Sequence, residues 1–348
     1  MQPMRGNKIN LLGKSKTEIS SLLGAAVDVH FRSDQIYSWI YEKKVLSFDK
    51  MTNLGKNLRS FLEEGFSLEV PAIVDKLTSD DGTAKYLLSL DNGAQIEVVR
   101  MDESDHYTLC ISSQAGCSLG CLFCATGISG LERNLNSEEI LGSVLVLMQE
   151  LDSIKPVNIV FMGMGEPLLN YDEVVKSIKI LTDTEGMAVP ERRITLSTVG
   201  IPGKIKALKE AFPRLGIAVS VNAYSDSLRS ELMPVNKTYP LSGIIRELSS
   251  LGRGAEKWLT LEYVLISGIN DAQKEARGLA AMAKSLRAKV NIIPLNQVEG
   301  FDGRSPSDKT IDSFVGILSD ARINVTVRRS KGRRLGAACG QLRAEGRH

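Results

Sequence analysis

The chain has 348 residues, of which 43% are hydrophobic and 24% are charged, enough to bury a large core in one large domain or in one domain with an appendage. No run approaches the roughly twenty apolar residues that span a bilayer and no apolar signal segment opens the chain, so the sequence predicts a cytoplasmic protein that is not in a membrane. A net charge of +2 is too small to indicate nucleic-acid binding from bulk electrostatics.

The first part of the chain, residues 1–66, is predicted to be a small helical domain, because apolar residues such as Ile36 and Ile40 recur at helical spacing. Residues 67–106 change to short strand-like runs and are predicted to form a β-rich connector. Within the connector, the sequence DNG at residues 91–93 separates two such runs, which is typical of a β-hairpin.

Strand-like runs alternate with helical stretches over residues 107–348, which are predicted to form the core domain and its C-terminal tail. Asn136 is predicted to cap the first helix, since Glu139 follows at the third helical position. Six β–α units followed by a last strand indicate an α/β fold with a parallel sheet. The runs are YTLCIS, VNIVF, ITLSTV, GIAVSV, WLTLEYVLI and KVNIIPL, and the last strand is INVTVR.

Three of the five cysteines, Cys117, Cys121 and Cys124, lie in one loop between a predicted strand and a predicted helix. α/β folds place their chemistry at such positions. Three thiolates ligate three irons of a [4Fe–4S] cluster and leave the fourth iron open for a substrate. Structural zinc needs a fourth protein ligand, and neither a second CxxC nor a nearby pair of histidines supplies one, so the cluster is favoured.

The Cx3CxxC spacing, with Phe123 before the last cysteine, resembles the signature of the radical S-adenosylmethionine (SAM) superfamily, in which the open iron binds the methionine part of SAM. Together with later motifs, this segment resembles the RlmN/Cfr family of RNA methyltransferases within that superfamily, and the resemblance runs from about Phe31 to Leu342. This resemblance implies an incomplete (βα)6 radical-SAM, or partial TIM, barrel. The motifs are GCSLGCLFCATG, FMGMGEPLLN, RRITLSTVGIP, LRSELMPVNKTYPL and AACGQL.

The resemblance also implies an activity. One group of the family transfers a methyl group to carbon C2 of an adenosine. The adenosine lies in 23S rRNA, at the peptidyl-transferase centre, and in the anticodon loop of tRNA. These enzymes use a [4Fe–4S] cluster and two SAM molecules per turnover. An external electron donor such as flavodoxin reduces the cluster, and we expect the chain to act as a monomer.

Three residues outside the cysteine loop gain roles from the same resemblance. Cys339, in AACGQL, corresponds to the cysteine that accepts a methyl group and presents it to RNA, and Cys110 to the cysteine that pairs with it in a transient disulfide. Glu97 has the spacing of the proton acceptor for the substrate carbon. Read alone, the two cysteines would be small buried apolar residues and Glu97 a solvated strand residue.

Cofactor contacts follow from the later motifs. Gly165 and Glu166 are expected at the amino group of SAM, whereas a G-x-G by itself is more often a tight turn. Asn222 stands where the family usually has histidine, which removes a titratable group. The remaining expected contacts are Ser197, Ser220, Val221 and Asn296. The ordinary alternative for Ser197 is a hydroxyl satisfied by its own backbone, and for Asn296 it is an ordinary turn asparagine.

A basic run precedes Cys339, and we interpret it as a contact to RNA phosphates, although most such runs are solvated surface. Its residues are Arg328, Arg329, Lys331, Arg333 and Arg334. Family members often carry acidic residues at the last two positions. Two alternatives remain: Cfr-like methylation of C8 of the same rRNA adenosine, against which Glu166-Pro167 argues, and an RNA-binding paralogue with altered activity.

Overall fold

A computed structural model describes residues 8–24, 29–151, 155–252, 254, 257–328 and 335–343. The N-terminal part contains helices α1 (Lys16–Leu23), α2 (Val29–Tyr41) and α3 (Lys56–Gly65), and the two-residue strands β1 (Ile9–Asn10) and β2 (Phe66–Ser67) pair in parallel. This part is mainly helical, as its apolar spacing predicts.

A ten-stranded sheet forms the body of the molecule, in the order β14-β13-β12-β11-β10-β9-β6-β5-β4-β3. A separate two-stranded sheet pairs β7 with β8. The strands are β3 (Ala72–Thr78), β4 (Thr83–Ser89), β5 (Gln95–Asp102), β6 (Tyr107–Cys110), β7 (Gln114–Gly116), β8 (Leu131–Asn134), β9 (Val157–Phe161), β10 (Ile194–Thr198), β11 (Gly216–Ser220), β12 (Leu259–Leu265), β13 (Lys289–Pro294) and β14 (Val325–Val327).

Helices follow the parallel strands in turn. In chain order they are α4 (Ala125–Ser129), α5 (Ser137–Met148), α6 (Tyr171–Thr182), α7 (Lys204–Ala211), α8 (Asp226–Leu232), α9 (Leu241–Ser250), α10 (Gln273–Leu286) and α11 (Asp308–Asp320), and the short 3-10 helices are Phe48–Lys50, Pro167–Asn170, Glu191–Arg193 and Pro234–Lys237. None of the described helices is both long enough and apolar enough to cross a bilayer.

Two local predictions are confirmed. Asn136 caps α5 in a capping box, since its side chain accepts from the amide of Glu139 and the Glu139 carboxylate accepts from the amide of Asn136. Strands β4 and β5 pair antiparallel around the predicted turn, with Gly93 at φ +87°. Glycine suits that position because L side chains are strained at positive φ.

The large sheet has two parts that meet at β6. Neighbouring strands are parallel from β6 through β9 to β14, and they are antiparallel from β3 to β6, so β6 is parallel to β9 and antiparallel to β5. The sheet is open, with β3 and β14 at its edges, so the predicted incomplete barrel with a helical N-terminal part is confirmed. The β-rich segment continues the sheet of the core, because β5 pairs directly with β6.

Candidate active site

The carboxyl ends of the parallel strands surround a cavity of about 160 Å³. Parallel strands present their carboxyl ends at one edge of a sheet, which is where α/β folds bind ligands. Most of the residues predicted from the sequence line this cavity. They are Cys117, Cys121, Cys124, Gly165, Glu166, Ser197, Ser220, Asn222, Asn296 and Cys339.

Backbone contacts close the cysteine loop between β7 and β8. The amide of Cys117 donates to the carbonyl of Gly130 at 2.8 Å. Gly116 has a φ of +77°, and a Cβ added to it would lie 2.0 Å from that same carbonyl oxygen. Glycine is therefore required at residue 116, immediately before the first cysteine of the motif.

The three thiols of the loop are largely buried. Burial raises the pKa of the Cys117 thiol to about 12, and it raises the pKa values of Cys121 and Cys124 as well. Thiolates at such positions need a metal to balance their charge. Among the described residues no three side chains converge on a single metal ion, whereas a cubane cluster takes one thiolate on each of three irons. The thiols and the adjoining cavity fit a cluster with one open iron.

Glu166 is held rigidly beside the cavity. Its Oε1 accepts from the hydroxyl of Thr198 at 2.7 Å and from the amide of Leu168 at 3.0 Å, and its Oε2 accepts from the amide of Val199 at 2.8 Å. Burial raises the pKa of its carboxyl, and these donors oppose that rise. A carboxylate has about four acceptor sites, so Glu166 retains capacity for a donor from a bound ligand.

A polar row crosses the strand ends beside Glu166. The hydroxyl of Ser197, in β10, donates to Oε2 of Glu262, in β12, at 2.7 Å. Ser220, at the end of β11, lies between them, and all three residues line the cavity. Glu262 is buried yet presents a carboxylate to a ligand-sized space, which makes it a candidate contact for hydroxyl or ammonium groups.

Asn222 and Val221 have structural partners. Asn222 adopts a left-handed φ of 56°, a conformation that asparagine tolerates better than most residues. Its Oδ1 accepts from the amide of Val264 at 2.8 Å, and its carbonyl accepts from the side chain of Asn270 at 2.9 Å. Val221 is buried outside the cavity lining, and its carbonyl accepts from Nε of Arg229.

Arg229, within the LRSELMPVNKTYPL motif, is a fully buried cation behind the site. Burial lowers the pKa of its guanidinium to about 10, so it stays protonated at neutral pH. It donates to five oxygens that tie α8 and the following turn to the strand ends. They are the carbonyls of Val199, Ser220, Val221 and Tyr239 and the side-chain oxygen of Asn236.

The C-terminal tail, residues 335–343, returns to the cysteine loop. The carbonyl of Gly340 accepts from the amide of Ala125 at 2.8 Å, and the carbonyl of Leu342 accepts from the hydroxyl of Thr126. The predicted cofactor contact Asn296 donates to the carbonyl of Cys339 at 3.0 Å. Cys339 is thereby anchored next to α4, the helix that begins directly after Cys124.

A second cavity adjoins the first, and Cys339 lines both. Cys110 lines the second cavity together with Met162 and Arg328. Burial raises the pKa of the Cys110 thiol to about 12. The structure thus brings Cys110 and Cys339 to one cavity, although they lie 229 positions apart in the sequence.

Of the predicted basic run, Arg328 is therefore placed near the two cysteines. The other four residues, at positions 329, 331, 333 and 334, lie outside the described part of the chain.

Glu97 lies under the tail, outside the lining of both cavities. Its Oε1 forms an ion pair with Nζ of Lys85 at 2.7 Å, and its Oε2 accepts from the amide of Arg343 at 2.8 Å. Burial raises the pKa of the Glu97 carboxyl, and Lys85 opposes the rise.

Sequence reasoning missed the site residues Glu262, Arg229 and Lys85. A signal existed for Glu262, because a single acid interrupts the apolar run WLTLEYVLI, and a charge in a strand that is otherwise apolar needs a partner or a function. Arg229 belongs to the motif LRSELMPVNKTYPL, but no role was predicted for it. Lys85 fits the alternation of polar and apolar residues that is ordinary in a strand, so nothing in the sequence distinguishes it.

Comparisons with known proteins agree with this site. Residues 111–280 match the Radical SAM superfamily, and residues 9–68 match the ribosomal RNA large subunit methyltransferase N-terminal domain. The cysteine loop and the strands that line the first cavity up to β12 fall within the first match.

Relatives and a solved structure cover nearly the whole chain. A Dictyoglomus thermophilum protein named as a probable dual-specificity RNA methyltransferase RlmN is 43% identical, over 96% of this chain and 97% of that protein. The dual-specificity RNA methyltransferase RlmN of Syntrophobacter fumaroxidans is 43% identical, over 90% and 92% respectively. The crystal structure of a radical SAM methyltransferase from Sphaerobacter thermophilus superposes with a TM-score of 0.89 at 39% identity, covering 97% of this chain and 100% of that one.

Proposed function

Because the chain belongs to the RlmN family of radical SAM methyltransferases, we propose that it transfers a methyl group to C2 of adenosine in RNA. The proposed substrates are 23S rRNA, at the peptidyl-transferase centre, and tRNA, at the anticodon loop. The observation that carries the proposal is the position of Cys339, which lines both the cavity of the three loop cysteines and the cavity of Cys110.

Cys117, Cys121 and Cys124 would hold a [4Fe–4S] cluster, and Glu166 with the polar row of Ser197, Ser220 and Glu262 would surround SAM. When bound, the cluster and SAM supply a methyl group and a 5′-deoxyadenosyl radical, with two SAM molecules used per turnover. The rigid strand ends orient these groups and exclude water from them.

Cys339 is the proposed methyl carrier. Its thiol would lose its proton and accept the methyl group of the first SAM. The S-methyl group would then give one hydrogen atom to the 5′-deoxyadenosyl radical, and its carbon would bond to C2 of the adenosine. After the C2 proton passes to a base and one electron returns to the cluster, the thiolate of Cys110 would attack the sulfur of Cys339. The carbon–sulfur bond to the RNA would break, the released carbon would take up a proton as the new methyl group, and external thiols would reduce the disulfide that remains. The cavity that both cysteines line supports this pairing.

Glu97 is the proposed acceptor of the C2 proton. Burial raises the pKa of its carboxyl, which suits a group that must take up a proton near neutral pH. Its oxygens contact Lys85 and the tail in the present arrangement, so the carboxylate must change partners before it acts.

The remaining proposals concern partners. The target adenosine must leave its stack to reach the cavity, which favours structured loops of RNA over a continuous duplex. We assign a second RNA contact to the helical N-terminal part and to the basic run that begins at Arg328. A flavodoxin-like donor supplies electrons, and the protein acts as a monomer in the cytoplasm.

Mass spectrometry of nucleosides tests the proposal. Protein reconstituted with iron and sulfide is incubated anaerobically with SAM, a reductant and unmodified rRNA or tRNA, and the RNA is digested. We expect 2-methyladenosine together with 5′-deoxyadenosine. Formation of 8-methyladenosine would replace the C2 assignment with the Cfr-type reaction, and absence of any methylated adenosine would favour an RNA-binding paralogue.

A further inference from the structure

The tail that carries Cys339 crosses one face of the antiparallel strands β4 and β5. Lys85 in β4 pairs with Val99, and Glu97 in β5 pairs with Leu87, so Lys85 and Glu97 are diagonal neighbours on the same face of the sheet. Their side chains meet in an ion pair with an Nζ to Oε1 distance of 2.7 Å.

Both partners of this ion pair also hold the tail. Oε2 of Glu97 accepts from the amide of Arg343 at 2.8 Å. Nζ of Lys85 donates to the carbonyl of Gly336 at 3.4 Å. Gly336 precedes Cys339 and Arg343 follows it, so the pair holds the tail on both sides of the methyl-carrying cysteine.

Two apolar side chains of the tail pack in the same region. Ala338 and Leu342, on either side of Cys339, are 3% and 4% exposed. The ion pair beneath them is also shielded, since the side chains of Lys85 and Glu97 are 14% and 6% exposed. Shielded charges attract more strongly than charges in water, but burial also disfavours the charged form of Glu97. The two effects offset each other, so the ion pair acts mainly by fixing the geometry of its two side chains.

We propose that Lys85 is a positioning residue, which with Glu97 clamps the tail on both sides of Cys339 and holds its sulfur where the two cavities meet. The proposal rests on the proposed function, in which Cys339 carries the methyl group. Both oxygens of Glu97 are engaged in the clamp. The movement that releases Arg343 therefore also frees Oε2 for a substrate proton, which links release of the tail to the availability of the base.

Amide hydrogen exchange of the tail tests the clamp without reference to activity. The reconstituted full-length protein is compared with Lys85→Met, which keeps the length of the side chain but removes its charge, and with Lys85→Arg, which keeps the charge. Lys76→Met is the matched control. Lys76 lies on the adjacent strand β3 and pairs with Glu150 at 2.8 Å, away from the tail.

We expect residues 335–343 to exchange about tenfold faster in Lys85→Met than in the wild type, the effect of losing a hydrogen-bonded ion pair. Lys85→Arg should restore most of the protection, and Lys76→Met should leave it unchanged. Equal exchange of the tail in the wild type and Lys85→Met would overturn the proposal. An equal rise of amide exchange in the tail and in strands β9 to β12 would also overturn the proposal. Lys85 would then stabilise the whole fold and not the tail in particular.

A second readout separates this proposal from the proposed function. The fraction of Cys339 that carries a methyl group is followed over time by mass spectrometry of the tail peptide. We expect methylation of Cys339 in Lys85→Met to be about tenfold slower, with the KM for SAM unchanged, because Lys85 holds the tail rather than the cofactor. If wild-type Cys339 is never methylated, the proposed function fails, while the exchange experiment still decides whether the clamp exists.

Discussion

Arg229 shows how a single buried charge organises the region behind the site. Its guanidinium donates to oxygens of the residues that directly follow β10 and β11 and of the turn after α8. It also lies close enough to Cys121 and Glu166 to interact with their charges. A buried cation is costly unless its hydrogen bonds are satisfied. The cost is offset here because carbonyl groups at the strand ends, which would otherwise lack partners, accept from it.

Replacing Arg229 with methionine should therefore destabilise the protein strongly. The variant leaves several buried carbonyl oxygens without donors, and we expect the free energy of unfolding to fall by about 3 kcal/mol. Urea denaturation of the unreconstituted protein measures this change. Lys237→Met, at an exposed position of the neighbouring 3-10 helix, is the control and should change the free energy by less than about 0.5 kcal/mol. Equal stabilities of the two variants would contradict this role of Arg229.

At the scale of residues, the sequence predicted which residues form the site better than it predicted the partners that those residues contact. Cys117, Cys121 and Cys124 lie close together in the chain, so their spacing can be recognised from the sequence alone. Glu166 accepts hydrogen bonds from Thr198, at the end of β10, and from Val199, which follows it. Glu97 contacts Lys85 on a strand and Arg343 in the tail, which lie far apart in the chain. Such partners depend on topology, which local patterns do not encode.

Among the elements, the loop between β7 and β8 depends on one close backbone approach. Gly116 and Gly130 both have positive φ values, +77° and +79°, yet a Cβ at residue 116 would meet the Gly130 carbonyl, whereas a Cβ at residue 130 would meet nothing within 4 Å. Substitutions at the two glycines can therefore be compared: both would strain the backbone, but only the substitution at residue 116 would also cause a steric clash.

We expect Gly116→Ala to lose the cluster and Gly130→Ala to keep it. Alanine at residue 130 would meet no atom within 4 Å, but it must adopt a φ of 79° and a ψ of −179°, a conformation almost confined to glycine that costs about 1–3 kcal/mol. Alanine at residue 116 must also push the two strands apart, which displaces Cys117 from its place at the cavity. Iron content and visible absorbance after reconstitution measure the outcome. A Gly116→Ala protein that binds as much iron as Gly130→Ala would contradict this account of the loop.

Secondary structure was largely predictable because its signals are local. The cap at Asn136, the hairpin turn at residues 91–93 and the alternation of strands with helices all reflect neighbouring residues. The short helix α4 inside the cysteine loop and the β7–β8 pair that flanks this loop were not predicted. Their few residues carry no periodicity, and they form because the loop packs against the tail and the turn after α8.

In the molecule as a whole, the antiparallel strands and the tail act together. Strands β4 and β5 extend the parallel sheet beyond β6, and this extension carries Lys85 and Glu97, which contact the tail. The sequence indicated a β-rich segment and, through the resemblance, a role for Cys339. The β-rich segment supports the tail that carries Cys339 through tertiary contacts. These contacts could not be predicted from either segment alone.

The central claim is that Cys339 delivers the methyl group, and an isotope chase tests it most directly. The protein is first methylated at Cys339 with SAM that carries a deuterated methyl group, and excess SAM is removed. It then reacts once with RNA in unlabelled SAM. We predict deuterium both in the methyl group of 2-methyladenosine and in 5′-deoxyadenosine, because the hydrogen atom and the methyl carbon both come from Cys339. A product whose methyl group carries no deuterium, on protein that retains its labelled Cys339, would contradict the account.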